Sequence, residues 1–179
     1  GSYQGWNPAD VSTVLFSVKS DNKYEGFIYF GEDNAKFKFT PAPNWDSDFG
    51  DNGQDGTLEP KGSDIDLAGP AGLYKLNVNL TALTFTKAAT NWGLIGSGTP
   101  TGWDSDTDLV YDPVSKTLKV TLALSDGGEI KFRANDAWDL NFGDTNANGS
   151  LEYGGDNIKV PAGGGTFEIE LILNTGDYT

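Results

Sequence analysis

The amino-acid sequence predicts an all-β protein built from two tandem antiparallel β-sandwich domains, and three observations support this. Glycine and proline are frequent, with 24 and 8 residues, and only 37% of the 179 residues are apolar. Such a composition favours short strands joined by many turns. Several segments alternate apolar and polar side chains, as half-buried strands do, and none shows the spacing of an amphipathic helix. The third observation is an internal repeat.

The repeat appears when the sequence is shifted by 93 positions. Ten of the 22 residues from 38 to 59 are then identical to residues 131–152, without a gap. Self-similarity at a fixed period indicates a repeated architecture. We therefore expect residues 1–89 to form one β-sandwich and residues 90–179 to form another.

The individual strands are predicted from the period-two alternation and from the turns that separate them. Clusters of Asp, Asn, Gly and Pro, such as residues 126–128 and 163–165, mark the turns. About seven short strands are expected in each copy, as in a small antiparallel sandwich. In chain order, the clearest strand segments are 37–39, 74–80, 92–96, 117–124, 130–133 and 166–173.

The two copies differ at their beginnings. The second copy opens with the segment 92–96, ahead of Gly102-Trp103, whereas the first opens at Gly1-Ser2, just ahead of Gly5-Trp6. A Gly-Ser pair at an N-terminus is typical of a cloning scar. We therefore expect the first strand of the first copy to be truncated and the natural protein to continue upstream.

The composition excludes several classes of function. The chain has no Cys and no His, which removes disulfides, thiolate and imidazole metal sites and the Ser-His-Asp triad. The formal net charge of −14 repels phosphate backbones and argues against nucleic acid as a partner. No apolar run approaches twenty residues, so no transmembrane span is expected. An uncharged ligand held by aromatic rings is compatible with the 12% aromatic content.

A Trp-Lys-Trp arrangement recurs in both copies. In each, one Trp follows a Gly in a turn, a Lys lies on a strand beside Phe, and a second Trp lies in the polar loop after that strand. Alternation sends the Phe side chains to the core and the basic side chains to the opposite face. The candidate binding residues are Trp6, Lys38 and Trp45 in the first copy, and Trp103, Lys131 and Trp138 with Arg133 and Asn135 in the second.

These residue types suit a carbohydrate. A Trp that stays exposed in a polar loop lacks the favourable free energy that burial of its large ring would give. Sugars have a C–H-rich face that stacks on indole and hydroxyl groups that need donors and acceptors at the ring edge. The alternative is that these Trp rings fill the core or cover the end of each sandwich, and recurrence does not separate the two interpretations.

Longer motifs resemble the SusE/SusF family, which are cell-surface glycan-binding lipoproteins of Bacteroidetes starch-utilisation systems. The similar segments span essentially the whole chain. They are Tyr3-Gln-Gly-Trp-Asn-Pro8, Lys38-Phe-Thr with Asn44-Trp45-Asp46, Gly72-Leu-Tyr-Lys-Leu-Asn-Val-Asn-Leu80, Trp92-Gly-Leu-Ile-Gly96, Gly102-Trp-Asp-Ser-Asp-Thr-Asp108 and Ile130-Lys-Phe-Arg-Ala-Asn-Asp-Ala-Trp138.

This resemblance implies two carbohydrate-binding sandwiches of immunoglobulin-like or starch-binding-domain type. It also implies an outer-membrane, surface-exposed location, with a lipid anchor and a further immunoglobulin-like domain upstream, and partner proteins of a glycan-uptake complex. The order Gly-Trp, strand Lys, loop Trp is similar to the starch-binding domain of glucoamylases, where the corresponding residues hold glucose units. The first copy has Thr40 in place of Arg133 and is expected to bind more weakly or not at all.

The acidic loops raise a second hypothesis, a calcium site. Asp144, Asn146 and Asn148, followed by Gly149, match the opening of an EF-hand loop. The twelfth position is Gly155 instead of a carboxylate, so the motif is incomplete. Asn and Gly suit a left-handed turn equally well, and no cofactor is otherwise expected.

The sequence thus predicts a monomeric, non-catalytic binder of a polysaccharide or oligosaccharide, with starch-like α-glucan as the expected ligand. Binding of another glycan, such as a β-glucan, remains an alternative, as does a structural or protein-docking module whose Trp rings are buried. A glycosidase is a further alternative because carboxylates are abundant. It is disfavoured because the acidic residues lie in Gly-rich turns, without an apolar pocket that would raise the pKa of one of them.

Overall fold

The computed structural model describes residues 1–17 and 19–179. The protein is all-β with antiparallel sheets, as predicted, and the described residues contain no α-helix. The chain divides into two compact units, Gly1–Ala89 and Thr90–Thr179. Among the described helices, none has the length and apolar character needed to cross a membrane.

The described residues of the first unit form seven strands and two 3-10 helices. β1, β6 and β7 form one antiparallel sheet, and two smaller ladders pair β2 with β5 and β3 with β4. The helices span Ser2–Gln4 and Val11–Thr13. The strands are β1 (Lys23–Phe30), β2 (Lys36–Phe37), β3 (Phe49–Gly50), β4 (Glu59–Pro60), β5 (Ile65–Asp66), β6 (Gly72–Asn79) and β7 (Thr84–Ala89).

The core of the first unit is aromatic. Phe30 is fully buried and contacts Phe37 and Tyr74, with ring centroids 5.2 and 5.6 Å apart. Apolar residues from β5, β6 and β7 complete the cluster, among them Ile65 and Phe85. The two small ladders are thereby held against the three-stranded sheet by apolar burial, which is the main stabilising force of a sandwich.

The second unit contains nine strands. One sheet has the order β10-β11-β16, and the other has the order β14-β13-β12-β8-β9, with β15 also paired to β12. The strands are β8 (Trp92–Ile95), β9 (Thr107–Asp108), β10 (Val110–Asp112), β11 (Thr117–Leu124), β12 (Glu129–Ala134), β13 (Asn141–Gly143), β14 (Glu152–Tyr153), β15 (Ile158–Lys159) and β16 (Gly165–Leu171).

Strand β8 lies in the interior of the larger sheet, hydrogen bonded to β12 on one side and β9 on the other. Its residues Trp92, Leu94 and Ile95 are fully buried. The indole of Trp92 stacks on Phe142 of β13, with ring centroids 5.0 Å apart and planes 10° from parallel. Trp92 is therefore a packing residue, in contrast to the other Trp residues of this unit.

Candidate functional site

Two indole rings form a tilted pair on the second unit. The ring centroids of Trp103 and Trp138 are 6.1 Å apart and their planes meet at 42°. Their residues are 40% and 46% exposed, so neither ring is part of the core. Trp103 follows Gly102, whose left-handed φ of 62° turns the chain just before the ring.

The loop that carries Trp138 is held by hydrogen bonds at both ends. Asn135 donates its backbone N–H to the carbonyl of Asn91, and its side-chain Oδ1 accepts the Asn91 N–H at 2.8 Å. At the other end, Nδ2 of Asn141 donates to the Trp138 carbonyl at 2.7 Å. Asn135 and Asp136 both have left-handed φ angles, of 57° and 55°. Asn and Asp adopt the left-handed conformation readily, so the loop turns sharply here without a glycine.

Two cations of strand β12 lie against the Trp138 ring. The Arg133 Cζ atom is 5.3 Å and the Lys131 Nζ atom 5.9 Å from its centroid, within the range of cation–π attraction. Arg133 is buried, and its Nε donates to Oδ2 of Asp106 at 2.8 Å. This ion pair raises the pKa of the Arg133 guanidinium. Arg133 therefore positions the indole from below.

Lys131 has a different environment. Among the residues described by the structure, none forms an ion pair with its ammonium group. Burial lowers the pKa of Lys131, and the more distant charge of Asp156 opposes this shift. An ammonium group beside an exposed ring, with its donors uncommitted to a carboxylate, can donate hydrogen bonds to a hydroxyl-rich ligand.

The first unit carries an indole pair with nearly the same geometry. The centroids of Trp6 and Trp45 are 6.2 Å apart and their planes meet at 46°. Trp45 is 39% exposed. The structure therefore brings together the two predicted Trp residues in each copy, and all four rings lie outside the buried cores.

The lysine of the first unit is committed to a carboxylate. Lys38 Nζ donates to Oδ1 of the buried Asp48 at 2.6 Å, and Lys61 Nζ donates to Oδ2 of the same side chain at 2.8 Å. Lys61 also donates to the Trp45 carbonyl at 2.8 Å, which closes the Trp loop. These two lysines hold the pKa of Asp48 below its usual value.

The residues at the corresponding positions of the second unit explain why Lys38 is paired with a carboxylate and Lys131 is not. A shift of 93 places Asp48 on Asn141 and Lys61 on Gly154. Asn141 holds the Trp loop through its side-chain amide and carries no charge that would capture Lys131. Asp48 and Lys61 were not predicted as functional residues, because their contacts with Lys38 and the Trp45 loop are tertiary.

Two predicted ligand donors prove to have positioning contacts. Arg133 was expected on the face opposite the core, where it does lie, but Trp138 and Asp106 cover that face and leave the residue only 7% exposed. The side-chain carbonyl of Asn135 is engaged by the Asn91 backbone. Direct contact of either residue with a ligand stays a prediction.

A carboxyl pair completes the surroundings of the ring. Asp106 and Asp136 hydrogen bond one another, which raises the pKa of the exposed Asp136 because a second negative charge there is unfavourable. The close packing of Asp106 requires Gly93, since a Cβ atom at that position would lie 2.5 Å from the Asp106 carboxyl carbon. Sequence reasoning missed Asp106 because nothing local to it indicates this tertiary contact.

The acidic loop of the second unit is closed by its own backbone. Asp144 accepts the Asn148 N–H through Oδ1 at 3.1 Å and the Gly149 N–H through Oδ2 at 2.8 Å. Asn148 Oδ1 accepts the Ser150 N–H, and Asn146 lies in the same loop. The backbone hydrogen bonds, that of Gly149 foremost, hold the pKa of Asp144 below its usual value.

The first unit repeats this arrangement, with the Asp55 and Gly56 N–H groups donating to Asp51. Within residues 1–17 and 19–179, no cluster of three or more acidic side chains is arranged to hold a metal ion. The contacts of the loop favour the interpretation as a turn, and calcium binding stays a prediction.

Comparisons with known proteins were made on sequence and on structure. No protein-family model matches the chain, and no curated protein matches it. The crystal structure of SusF from Bacteroides thetaiotaomicron is similar over 88% of this chain, with 18% sequence identity and a TM-score of 0.35. The chain spans 42% of the length of that protein chain.

The acidic loop generates a first prediction. Asp144→Ala is expected to lower the thermal midpoint of the second unit equally with and without calcium, because the carboxylate accepts loop N–H groups itself. A chelator should leave the thermal midpoint of the unaltered protein unchanged. Differential scanning calorimetry measures both. A midpoint that falls in chelator and recovers with added calcium would show that the loop is a metal site.

The carboxyl pair generates a second prediction. The raised pKa of Asp136 means that the folded protein binds more protons than the unfolded chain, so ionised Asp136 destabilises the fold above that pKa. Asp136→Asn keeps a donor for Asp106 and removes the charge, and is expected to raise the thermal midpoint at pH 7.

The increase in thermal midpoint caused by Asp136→Asn should become smaller as the pH falls towards about 4, near the pKa of an unfolded Asp. Thermal denaturation of both proteins between pH 4 and 7 measures it. The neighbouring exposed residue provides the control, since Asp139→Asn should change little. If the difference in thermal midpoint between Asp136→Asn and the unaltered protein does not vary with pH, the like-charge contact is not its cause.

Proposed function

We propose that this protein is a non-catalytic binder of neutral polysaccharide, with α-glucan of the starch type as its ligand. The observation that carries the proposal is a pair of indole rings on each unit, about 6 Å apart and tilted by 42° and 46°. Trp45, Trp103 and Trp138 are exposed, and Trp6 is partly buried. Large aromatic rings that remain exposed beside uncommitted hydrogen-bond donors are typical of a binding surface.

The chemistry of the second unit suits a sugar. The exposed parts of Trp103 and Trp138 offer apolar faces for the C–H-rich side of a pyranose ring. Lys131, beside the same indole, offers a cationic donor for the hydroxyl groups at the ring edge. The net charge of −14 does not oppose a ligand that carries no charge.

The tilt between the rings favours an α-glucan over a flat β-linked chain. Successive glucose units of an α-1,4-linked chain turn progressively, so two units stacked on two indoles require planes that are inclined to one another. A flat ribbon such as a β-1,4-linked glucan is matched by coplanar rings instead. The inclination of Trp103 to Trp138 therefore supports a curved ligand.

The two sites are proposed to differ in strength. Lys131 is free of ion pairs with described residues, whereas Lys38 commits one of its three ammonium donors to Asp48, which limits how its remaining donors can reach a hydroxyl group. Shallow, hydrated sites of this kind bind in the range from about millimolar to tens of micromolar. A polymer that reaches both sites gains avidity, because its second contact is effectively intramolecular.

The carboxyl groups of Asp106 and Asp136 do not have a hydrolytic arrangement. Glycosidases separate their two carboxyl groups by about 5 to 9.5 Å, on either side of the bond that is cleaved. Asp106 and Asp136 hydrogen bond one another, and Asp106 is also paired with Arg133. This contact geometry supports a positioning role and a protein without glycosidase activity.

The resemblance of the sequence to the SusE/SusF family extends the proposal to cellular location. On that basis, the protein belongs at the bacterial cell surface, anchored in the outer membrane by an upstream lipid, together with other proteins of a glycan-uptake complex. Its role there is to capture glycan chains and hold them for uptake.

Substitution of the indoles tests the proposal. Trp138→Ala is expected to weaken starch binding by the second unit at least tenfold, about 1.4 kcal/mol, because it removes half of the stacking surface. The double variant Trp45→Ala/Trp138→Ala should no longer be retarded in affinity electrophoresis through starch gels. Val110→Ala, at an exposed apolar residue of the second unit, is the control and should bind normally.

Three results would overturn the proposal. Undiminished retardation of the double variant would contradict the assignment of the sites. Stronger retardation by β-glucan gels than by starch gels would contradict the ligand. Release of reducing sugar from starch would contradict the absence of catalysis.

The difference between the lysines provides a gain-of-function prediction. Asp48→Asn combined with Lys61→Gly gives the first unit the residues that the second unit has at these positions, and frees Lys38. Within a Trp138→Ala background, which isolates the first site, this change is expected to strengthen starch binding several-fold. Isothermal titration with a malto-oligosaccharide measures it, and thermal denaturation verifies folding. Unchanged or weaker binding by a folded variant would contradict the role of lysine availability.

A further inference from the structure

A cavity of about 390 Å³ opens into the first unit beside Lys38 and Thr40. The residues around it include core residues of the main sheet, such as Ile28 and Val78, so the cavity reaches the apolar interior. Val11, on its rim, is 82% exposed. Apolar openings of this kind are uncommon in well-packed domains and usually mark a binding site.

The second unit shows what occupies the corresponding place there. Strand β8 is buried between β12 and β9, and pairs Ile95 with Lys131, Leu94 with Phe132, Gly93 with Arg133 and Trp92 with Ala134. In the repeat, which is offset by 93 positions, residues 131–134 of β12 correspond to Lys38, Phe39, Thr40 and Pro41. All four line the cavity of the first unit.

A shared hydrogen bond fixes the register of this correspondence. The Ser97 hydroxyl, two residues after β8, accepts the backbone N–H of Glu129 at 3.0 Å. In the first unit, the Ser2 hydroxyl accepts the N–H of Lys36 at 2.8 Å. Lys36 corresponds to Glu129, so Gly1-Ser2 takes the place of Gly96-Ser97, and the cavity takes the place of β8.

The backbone groups of Lys38 and Thr40, beside the cavity, are oriented to pair with an added strand. Phe39 exchanges both of its backbone hydrogen bonds with Phe49 on one side. Because hydrogen bonds alternate along a strand, the N–H and C=O groups of Lys38 and Thr40 point the other way. Neither residue makes a backbone–backbone hydrogen bond to the part of the chain that the structure describes.

The burial of side chains supports the same correspondence between the cavity and β8. Phe142, under the Trp92 ring, is fully buried, whereas its counterpart Phe49 lines the cavity and is only half-buried. Ala9, Val11 and Val14 also line the cavity, and they follow Trp6 along the chain as β9 follows Trp103.

We infer that this cavity is an acceptor site for a β-strand: it takes an extended apolar segment of the chemistry of Trp92–Ile95, antiparallel to residues 38–41 and continuous with Gly1. Its backbone would bond to Lys38 and Thr40, and a large ring at its start would stack on Phe49. Strand addition to an open edge is a general mode of peptide recognition. The inference does not require a glycan ligand, although Lys38 and Trp45 of the proposed glycan site also line the cavity.

The test extends the full chain by Trp-Gly-Leu-Ile directly ahead of Gly1. Burial of three large side chains is expected to raise the thermal midpoint of the first unit by on the order of 5 °C or more. Amide hydrogen exchange of Lys38 and Thr40, followed by NMR, should slow at least tenfold as the two N–H groups become bonded.

Two controls separate strand pairing from the mere addition of apolar residues. Trp-Pro-Leu-Ile keeps the large side chains but removes an N–H group and restricts the backbone at the residue opposite Thr40, so protection should be lost. Ser-Gly-Ser-Ser keeps the length without the apolar side chains. Equal exchange rates and midpoints in all three extended proteins would overturn the inference. Protection that depends on protein concentration would overturn the placement within one chain, since the strand would then be donated by a second copy.

Discussion

In the second unit, the proposed binding surface is supported by a buried guanidinium group. Arg133 is enclosed with Asp106 beneath the Trp138 indole, so the ring covers a charge instead of entering the apolar core. Removing one partner of a buried ion pair costs about 3 to 5 kcal/mol, because the other charge is left uncompensated. The pair therefore holds the floor of the site in one arrangement, and the ring above it stays 46% exposed.

The two units use the same framework with different charges. In both, an Asp closes the long loop through backbone N–H groups at the same repeat positions, and in both the indoles are inclined by similar angles. The difference lies in how the Trp loop is held. A neutral Asn141 holds it in the second unit, whereas Lys61 and Asp48 hold it in the first and engage Lys38. The two replacements, Asn141 for Asp48 and Gly154 for Lys61, thus determine whether the strand lysine beside the indole pair is bound to a carboxylate.

Sequence patterns predicted the strands whose two faces differ in polarity. The segment 117–124 alternates cleanly and matches β11 at both ends. Strand β1, residues Lys23–Phe30, was missed because Gly26 to Phe30 is a nearly continuous apolar run, buried on both faces. The indoles were found because Trp in polar loops is conspicuous. Asp106 and Lys61 were not, because their roles depend on contacts between segments distant in the sequence, which no local pattern records.

The central claim is that the inclined indole pairs, and not the buried Trp92, meet the ligand. The five Trp side chains can be observed separately through their indole N–H signals in a two-dimensional NMR spectrum, during titration with maltoheptaose. The account predicts that the signals of Trp103 and Trp138 shift at the lowest sugar concentrations, those of Trp6 and Trp45 at higher ones, and that of Trp92 least. Shifts absent from all four paired indoles, at concentrations where the sugar binds, would contradict this claim.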